Sequence, residues 1–174
     1  VLSCDELNAA IPGLINSEQV KKAAAAVQKR PEFDLSEQRK YDELTRDELH
    51  DVFRLRCDVF VVGQEITAEP EIDGRDPACH HAMVWDGGEL VGTLRIFADE
   101  EPLVIGRVAV ARDRQREGVG TRMMEEVQQW LGDRPAELHA QQYLEEWYAS
   151  LGWERFGEAF VEAEIPHVHM RWTS

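Results

Sequence analysis

Three residues of one short loop have the types and the spacing of an anion-binding site. Gln115, Gly118 and Gly120 lie in the sequence QREGVG, between a run rich in β-branched residues, Leu103–Val110, and a helix-like pattern that extends to Leu131. The apolar residues of this pattern recur at the spacing of one buried helix face: Val119, Met123, Val127, Trp130 and Leu131. A strand that passes through a glycine turn into a helix presents unpaired backbone N–H groups, and the helix dipole favours negative charge there. Such a loop is suited to phosphate groups.

Arginines surround this loop. Five of them fall within 16 residues of a chain whose formal net charge is −15: Arg107, Arg112, Arg114, Arg116 and Arg122. Cations concentrated in one place oppose the field of the rest of the protein, as a site for phosphate groups requires. A strand, turn and helix without a ligand is the alternative, and the arginine cluster favours the binding site.

The bulk composition indicates one ordinary domain. The chain has 174 residues, of which 43% are hydrophobic, and no apolar run approaches the ~20 residues of a membrane span. The three cysteines, Cys4, Cys57 and Cys79, show no framework spacing, which indicates a reduced, cytoplasmic compartment. We expect no membrane partner and no nucleic acid partner, because phosphate backbones bind positively charged surfaces.

Charge and composition divide the chain near residue 37. All four lysines lie in the first 40 residues, whereas residues 41–174 hold 13 arginines against 28 acidic residues. An acidic surface without lysine indicates either a halophilic source or an acidic protein from a GC-rich genome. Residues 1–36 are interpreted as an appendage with one helix between Ser17 and Pro31, and residues 37–174 as the domain that carries the chemistry.

The remaining pattern predicts an α/β domain around a central mixed sheet. Thr45 and Glu48 form a capping box at the start of a helix, and the sequence DGGE after Trp85 predicts a hairpin turn. The segment 63–78 is predicted as a loop with at most one short helical turn. The predicted strands are 81–85, 90–97, 103–110, 136–140, 153–160 and 168–172, and a further helix is predicted over 143–151.

Several separated segments resemble, in the right order, the GCN5-related N-acetyltransferase (GNAT) family and its ElaA-like branch. Between Leu55 and Trp172 they are LRCDVFVVGQ, EIDGRD, IGRVAV, QREGVG, WYASLGW and IPHVHM. The resemblance implies the GNAT fold, in which helices flank a central mixed, mostly antiparallel sheet. It also implies an N-acetyltransferase that uses acetyl-CoA and acts by direct transfer in a ternary complex. The implied acceptor is a primary amine of a small molecule or a peptide.

The resemblance further implies which residues hold acetyl-CoA. The loop and the first helical turn would bind the pyrophosphate. The preceding strand, which splays from its neighbour in the family, would pair its backbone with the pantetheine arm. The implied cofactor-binding residues are Val108, Val110, Gln115, Arg116, Gly118, Val119, Gly120 and Thr121.

Candidate catalytic residues lie in the other matching segments. Tyr148, in WYASLGW, is similar to the tyrosine of the family's aromatic-Tyr-x-x-x-Gly-aromatic motif, and we expect it to protonate the leaving thiolate. A tyrosine that only packs against the core is the alternative. Asp73 and His81 are the preferred residues for accepting the proton of the amine, and Glu71 and His167 are predicted to contact the acceptor. Surface carboxylates and hydrogen-bonded structural histidines would show the same pattern.

Other functions also fit parts of the sequence. Arg56-x-x-Val59-Phe60 is similar to a helix of acyl-homoserine-lactone synthases, although these distant relatives generally lack a clean Gln-x-x-Gly-x-Gly loop. A non-catalytic acyl-CoA-binding regulatory module could retain both the loop and Tyr148. Helical spacing turns Arg54 and Arg56 in different directions, so we expect at most one of them to point inward.

Three points depart from a simple assignment. Gly63 stands where ElaA-like chains often have an acidic residue before Gln64, so a base expected there is absent. The histidines and cysteine of 79–81, together with His167 and His169, match no recognised zinc spacing, and no metal is expected. A homodimer is an open alternative that no residue decides.

Overall fold

The computed structural model describes residues 34–35 and 38–173 of the chain. The helix predicted after Ser17 lies outside these residues, as does the appendage 1–36 apart from Asp34 and Leu35. No helix of the described residues has both the length and the apolar character needed to span a membrane.

The described residues form eight strands of one mixed sheet. They are β1 Asp34–Leu35, β2 Arg39–Lys40, β3 His80–Asp86, β4 Glu89–Phe97, β5 Leu103–Val110, β6 Ala136–Gln141, β7 Glu154–Glu162 and β8 Ile165–Trp172. The order across the sheet is β1-β3-β4-β5-β6-β8-β7, and β2 also pairs with β3. β5 and β6 run parallel, and the other paired neighbours run antiparallel. The predicted mixed, mostly antiparallel sheet is therefore confirmed.

Helices flank this sheet, as predicted. Those of the described residues are α1 Arg46–Arg56, α2 Val119–Leu131 and α3 Glu145–Ser150. The predicted capping box opens α1: the hydroxyl of Thr45 accepts the N–H of Glu48 at 3.2 Å, and the Glu48 carboxylate accepts the N–H of Thr45 at 2.8 Å. A π-helical turn, Cys57–Gly63, extends α1 toward the centre of the sheet.

Two buried clusters hold the helices on opposite faces of the sheet. α2 packs with Ala82 and Val84 of β3, whereas α1 packs with Met83, which lies between them and points to the other face. The predicted apolar face of α2 is confirmed, because four of its five residues are fully buried and the fifth, Trp130, packs against the same cluster. The fully buried four are Val119, Met123, Val127 and Leu131.

Candidate active site

β5 and β6 separate partway along their length. Residues 103–105 pair with residues 136–138, and among the described strands β5 has no partner on the β6 side from Gly106 onward. A Cβ atom added to Gly106 would meet nothing within 4 Å, so the face of the sheet is open at this residue. Backbone N–H and C=O groups along the gap are therefore available to a ligand.

A β-bulge lies at the start of this unpaired stretch. Pairing between β4 and β5 shifts register there, so that Arg107 and Val108 stand opposite one residue, Leu94. Arg107 has φ 55°, in the left-handed region. A bulge re-aims the residues that follow it, and both Val108 and Val110 line the gap.

The glycine loop ends at the N-terminus of α2. Gly118 precedes the helix with φ 88°, a conformation that favours glycine, and a Cβ there would meet nothing within 4 Å. The first helical hydrogen bond joins the N–H of Arg122 to the carbonyl of Gly118 at 3.0 Å. Helix geometry therefore leaves the N–H groups of Val119, Gly120 and Thr121 without a helical acceptor. Together with the dipole of α2, these groups form an anion site.

The unpaired strand and the loop open on one cavity of about 660 Å³. Val119 is the one predicted cofactor-binding residue outside its lining, because the Val119 side chain is buried beneath α2 and only its N–H faces the loop. The structure thus brings together the other predicted residues: Val108, Val110, Gln115, Arg116, Gly118, Gly120 and Thr121.

Two of the five arginines near the loop form ion pairs with carboxylates. Arg114 lies 2.6 Å from a carboxylate oxygen of Asp86, and Arg107 lies 3.0 Å from one of Glu71. Arg116 does line the cavity beside the loop. The sequence shows the arginines, but it does not show the carboxylates that neutralise Arg107 and Arg114.

Tyr148 lines the same cavity and is 3% exposed. A Schellman motif ends its helix: the N–H of Trp153 donates to the carbonyl of Tyr148 at 3.1 Å, and that of Gly152 donates to Ala149 at 3.0 Å. Its ring packs edge-on against Trp147. Burial raises the pKa of Tyr148 far above its ordinary value, so the hydroxyl is protonated at neutral pH and is a weaker acid than a solvated phenol.

His167 brings a proton acceptor to the cavity. It is 8% exposed, and its Nδ1 lies 2.8 Å from the carbonyl oxygen of Ile165. A carbonyl only accepts, so Nδ1 carries the hydrogen and Nε2 of the neutral ring keeps a lone pair. His167 and His169 both pack against Phe160, because alternate residues of a strand lie on the same side.

Asp73 and His81 lie outside the lining of this cavity. Asp73 accepts hydrogen bonds of 2.8 and 2.6 Å from Arg95, whose guanidinium holds the pKa of the carboxyl well below its usual range. His81 is fully buried, its Nε2 lies 3.4 Å from the carbonyl oxygen of Asp76, and burial lowers its pKa. Their assignment as catalytic residues stays a prediction, and this geometry favours structural roles for both.

Glu71 lines the cavity, but arginines already hold its carboxylate. One oxygen lies 2.5 Å from Nε of Arg56, the other lies 3.0 Å from Nε of Arg107, and Arg56 also lies 2.6 Å from Asp76. These contacts belong to a network of three arginines and three carboxylates: Arg56, Arg95, Arg107, Glu71, Asp73 and Asp76. The network holds residues 71–76 of the segment 64–78, and this segment is here named the acceptor wall.

Sequence reasoning missed two side-chain pairs of the cavity. Nδ1 of His139 lies 3.0 Å from a carboxylate oxygen of Glu162, and this contact raises the pKa of His139 and lowers that of Glu162. Gln141 donates to the side-chain oxygen of Gln64 at 2.8 Å. Each pair joins segments far apart in the chain, so spacing gave no signal. Within the described residues, no three His, Cys, Asp or Glu side chains are grouped to hold a metal ion.

Comparison with known proteins agrees with this geometry. A family model described as an acetyltransferase (GNAT) domain matches residues 56–174. Protein ElaA of Escherichia coli K12 is 36% identical over 140 residues, which cover 75% of this chain and 90% of ElaA. The crystal structure of Escherichia coli ElaA matches with a TM-score of 0.72 at 33% identity, over 80% of this chain and 98% of that one.

Two further structures share the fold. An acyl-CoA N-acyltransferase from Pseudomonas aeruginosa has a TM-score of 0.73 at 33% identity, over 80% of this chain and 98% of its own. An aminoglycoside 6'-N-acetyltransferase complexed with coenzyme A has a TM-score of 0.60 over 80% of this chain and 96% of its own; at 16% identity it shows likeness of fold alone. By sequence and by fold, the chain belongs to the GNAT acetyltransferase family, in its ElaA-like branch.

Proposed function

We propose that residues 37–174 form an N-acetyltransferase that uses acetyl-CoA as donor and a primary amine of a small molecule or peptide as acceptor. Transfer is direct, within a ternary complex. One observation carries the proposal: an unpaired strand edge, a helix N-terminus, Tyr148 and His167 open on a single cavity. The aminoglycoside 6'-N-acetyltransferase of the same fold, complexed with coenzyme A, supports the choice of cofactor.

The donor end of the cavity fits coenzyme A. Three N–H groups at the start of α2 and the side chain of Arg116 suit the pyrophosphate, and the open space above Gly118 lets a phosphate approach the backbone. The unpaired edge of β5 at Val108 and Val110 suits the amides of the pantetheine arm. When bound, acetyl-CoA supplies the acetyl group as an activated thioester.

The acceptor end supplies a proton acceptor. An ammonium group has no lone pair, so the acceptor must lose a proton before it attacks. His167 lines the cavity, and Nε2 of its neutral ring keeps a lone pair because Nδ1 is committed to the carbonyl of Ile165. We assign the role of base to His167, directly or through one water. This role replaces the contact with the acceptor that the sequence analysis predicted.

Tyr148 supplies the acid. Its buried hydroxyl keeps its proton at neutral pH and lies on the cavity wall. The proton passes from the phenol oxygen to the departing thiolate, and the phenol is restored from solvent. A regulatory module that only binds acyl-CoA needs neither this donor nor the acceptor nitrogen of His167.

The test is amine-dependent release of thiol from acetyl-CoA. The acceptors are spermidine, kanamycin and an alanine tripeptide with an unblocked N-terminus, and mass spectrometry identifies the acetylated product. We expect turnover with at least one of them and a loss of about 100-fold in His167→Gln. His50→Gln, an exposed histidine outside the cavity, serves as the control. Binding of acetyl-CoA without acetylation of any of these amines would contradict the proposal.

A further inference from the structure

The bulge of β5 places an arginine in a conformation that arginine rarely adopts. Arg107 has φ 55°, where a residue with a Cβ atom is disfavoured. The adjacent Gly106, which would adopt this conformation without strain, lies outside that region. Strain at a site of this kind persists when surrounding contacts determine it, so the contacts of the Arg107 side chain are informative.

The side chain of Arg107 reaches from the bulge to the acceptor wall. Its Nε lies 3.0 Å from a carboxylate oxygen of Glu71, and its Nη2 lies 3.7 Å from one of Asp73. Arg107 is 26% exposed and lines the cavity, so these ion pairs lie beside the space where donor and acceptor would meet.

Both carboxylates are fixed independently of Arg107. The other oxygen of Glu71 contacts Arg56, which is 1% exposed, and Asp73 accepts two hydrogen bonds from Arg95. Arg107 thus links the unpaired edge of β5 to carboxylates that other arginines also hold. β4 pairs with β5 on either side of the bulge, but the opposite edge of this stretch has no strand beside it within the described sheet, so no strand pairing holds the bulge on that side.

We propose that Arg107 is a positioning residue that sets the distance between the donor-binding edge of β5 and the acceptor wall. The inference rests on the proposed function, since it concerns the relative position of the two bound substrates. Correct alignment of two bound reactants contributes strongly to rate, and small displacements reduce it. Loss of the link should lower kcat and raise the KM for the amine. Affinity for acetyl-CoA should change little, because the loop before α2 is untouched and Val108 and Val110 keep their backbone groups.

The test compares Arg107→Gly and Arg107→Lys with the parent. Glycine adopts the positive φ without strain and removes the guanidinium. Lysine keeps the charge but cannot bridge two carboxylates as a planar guanidinium does. Steady-state kinetics with the best acceptor among spermidine, kanamycin and the alanine tripeptide gives kcat and KM, and calorimetry gives the Kd for acetyl-CoA. Arg155→Gln removes an exposed arginine paired with Glu145 and serves as the control.

We expect Arg107→Gly to lose about 30-fold in kcat/KM for the amine while its Kd for acetyl-CoA changes less than about 2-fold. The kcat/KM of Arg107→Lys should lie between those of Arg107→Gly and the parent. If Arg107→Gly does not fold, the kinetics of Arg107→Lys test the inference. Parental kcat and KM in these variants would overturn the inference while turnover by the parent upholds the proposed function. A loss of affinity for acetyl-CoA as large as the loss of kcat/KM would also overturn the inference. Failure of the parent to acetylate any of the amines would contradict both the inference and the proposed function.

Discussion

Tyr148 and His167 line one cavity, where Tyr148 carries a proton and His167 has a nitrogen that can accept one. The phenol of Tyr148 is protonated at neutral pH, as its ordinary pKa of about 10 requires, whereas the carbonyl of Ile165 fixes the hydrogen of His167 on Nδ1 and leaves Nε2 as an acceptor. Tyr148 can therefore donate a proton, and His167 can accept one. This division of roles leads to a prediction for Tyr148, as it does for His167.

Removing the phenol hydroxyl should slow the chemical step without affecting binding. We expect Tyr148→Phe to lower kcat by about 100-fold, because the thiolate would leave without a proton donor. The Kd for acetyl-CoA should match that of the parent. Assays of thiol release give kcat, and calorimetry gives the Kd for acetyl-CoA. Tyr41→Phe, at a tyrosine outside the cavity lining, is the matched control. A parental kcat in Tyr148→Phe would assign Tyr148 to packing alone.

The pair of His139 and Glu162 predicts a pH effect. Glu162 raises the pKa of His139, so this histidine contributes stability that is complete below its unfolded pKa and is lost as pH rises through the folded pKa. His139 lowers the pKa of Glu162, whose contribution is present above its unfolded pKa and is lost as pH falls through the folded one. The pair therefore stabilises the fold most in the mildly acidic range between these limits.

Glu162→Gln tests this pair directly. We expect the pKa of His139 to fall in this variant, because a neutral amide no longer stabilises the imidazolium. NMR titration of the imidazole C–H signals provides the measurement. Glu158→Gln, at an exposed position of the same strand, should leave His139 unchanged. An unchanged pKa in Glu162→Gln would show that the two side chains are not paired in solution.

At the scale of elements, α1 and its π-helical turn anchor the acceptor wall through Arg56. This guanidinium is 1% exposed and contacts Glu71 and Asp76, whereas Arg54, two residues earlier, is exposed and pairs with Asp51. The prediction that at most one of the two arginines points inward is confirmed. Helical spacing sends the two side chains to opposite environments and provides a comparison within one helix.

Truncating the buried arginine should be far more costly than truncating the exposed one. We expect Arg56→Met to lower the free energy of unfolding by about 3 kcal/mol, because it removes a buried cation that pairs with two buried carboxylates, Glu71 and Asp76. Arg54→Met should change it by less than about 0.5 kcal/mol. Urea denaturation measures both. Equal effects of the two substitutions would mean that the buried network does not hold the wall.

Regular elements could be read from the sequence because their residues repeat with a period. The capping box at Thr45 and the apolar face of α2 rest on local spacing, and both are confirmed. β1 and β2 were not predicted, since two-residue strands carry no period. Asp34 and Leu35 of β1 pair with β3 although they precede the predicted boundary at residue 37.

The candidate site was predictable where it depends on the backbone and not where it depends on partners. The loop at Gly118 follows from glycine and helix geometry, so its residues were identified in advance. The contacts of Arg107 and Asp73 depend on which charges fold against them, and pairs distant in sequence leave no local signal. The left-handed conformation of Arg107 had no sequence cue, because that conformation is expected of glycine or asparagine.

At the scale of the whole molecule, a formal net charge of −15 predicts that salt stabilises the fold. Like charges repel across the surface, and mobile ions screen that repulsion. We expect the melting temperature to rise as potassium chloride increases from low to molar concentration, measured by circular dichroism at neutral pH. A steady fall of the melting temperature would contradict both this expectation and the halophilic interpretation of the composition.

The central claim, that the cavity beside α2 holds acetyl-CoA, is tested most directly by calorimetric titration. The parent is compared with Gly118→Trp, which fills the backbone cradle, and with Gly88→Trp in the β3–β4 turn. Both glycines have a positive φ, 88° and 86°, and neither would place a Cβ within 4 Å of another atom. We predict binding by the parent and by Gly88→Trp, and none by folded Gly118→Trp. Equal binding by all three proteins, or none by the folded parent, would contradict the account.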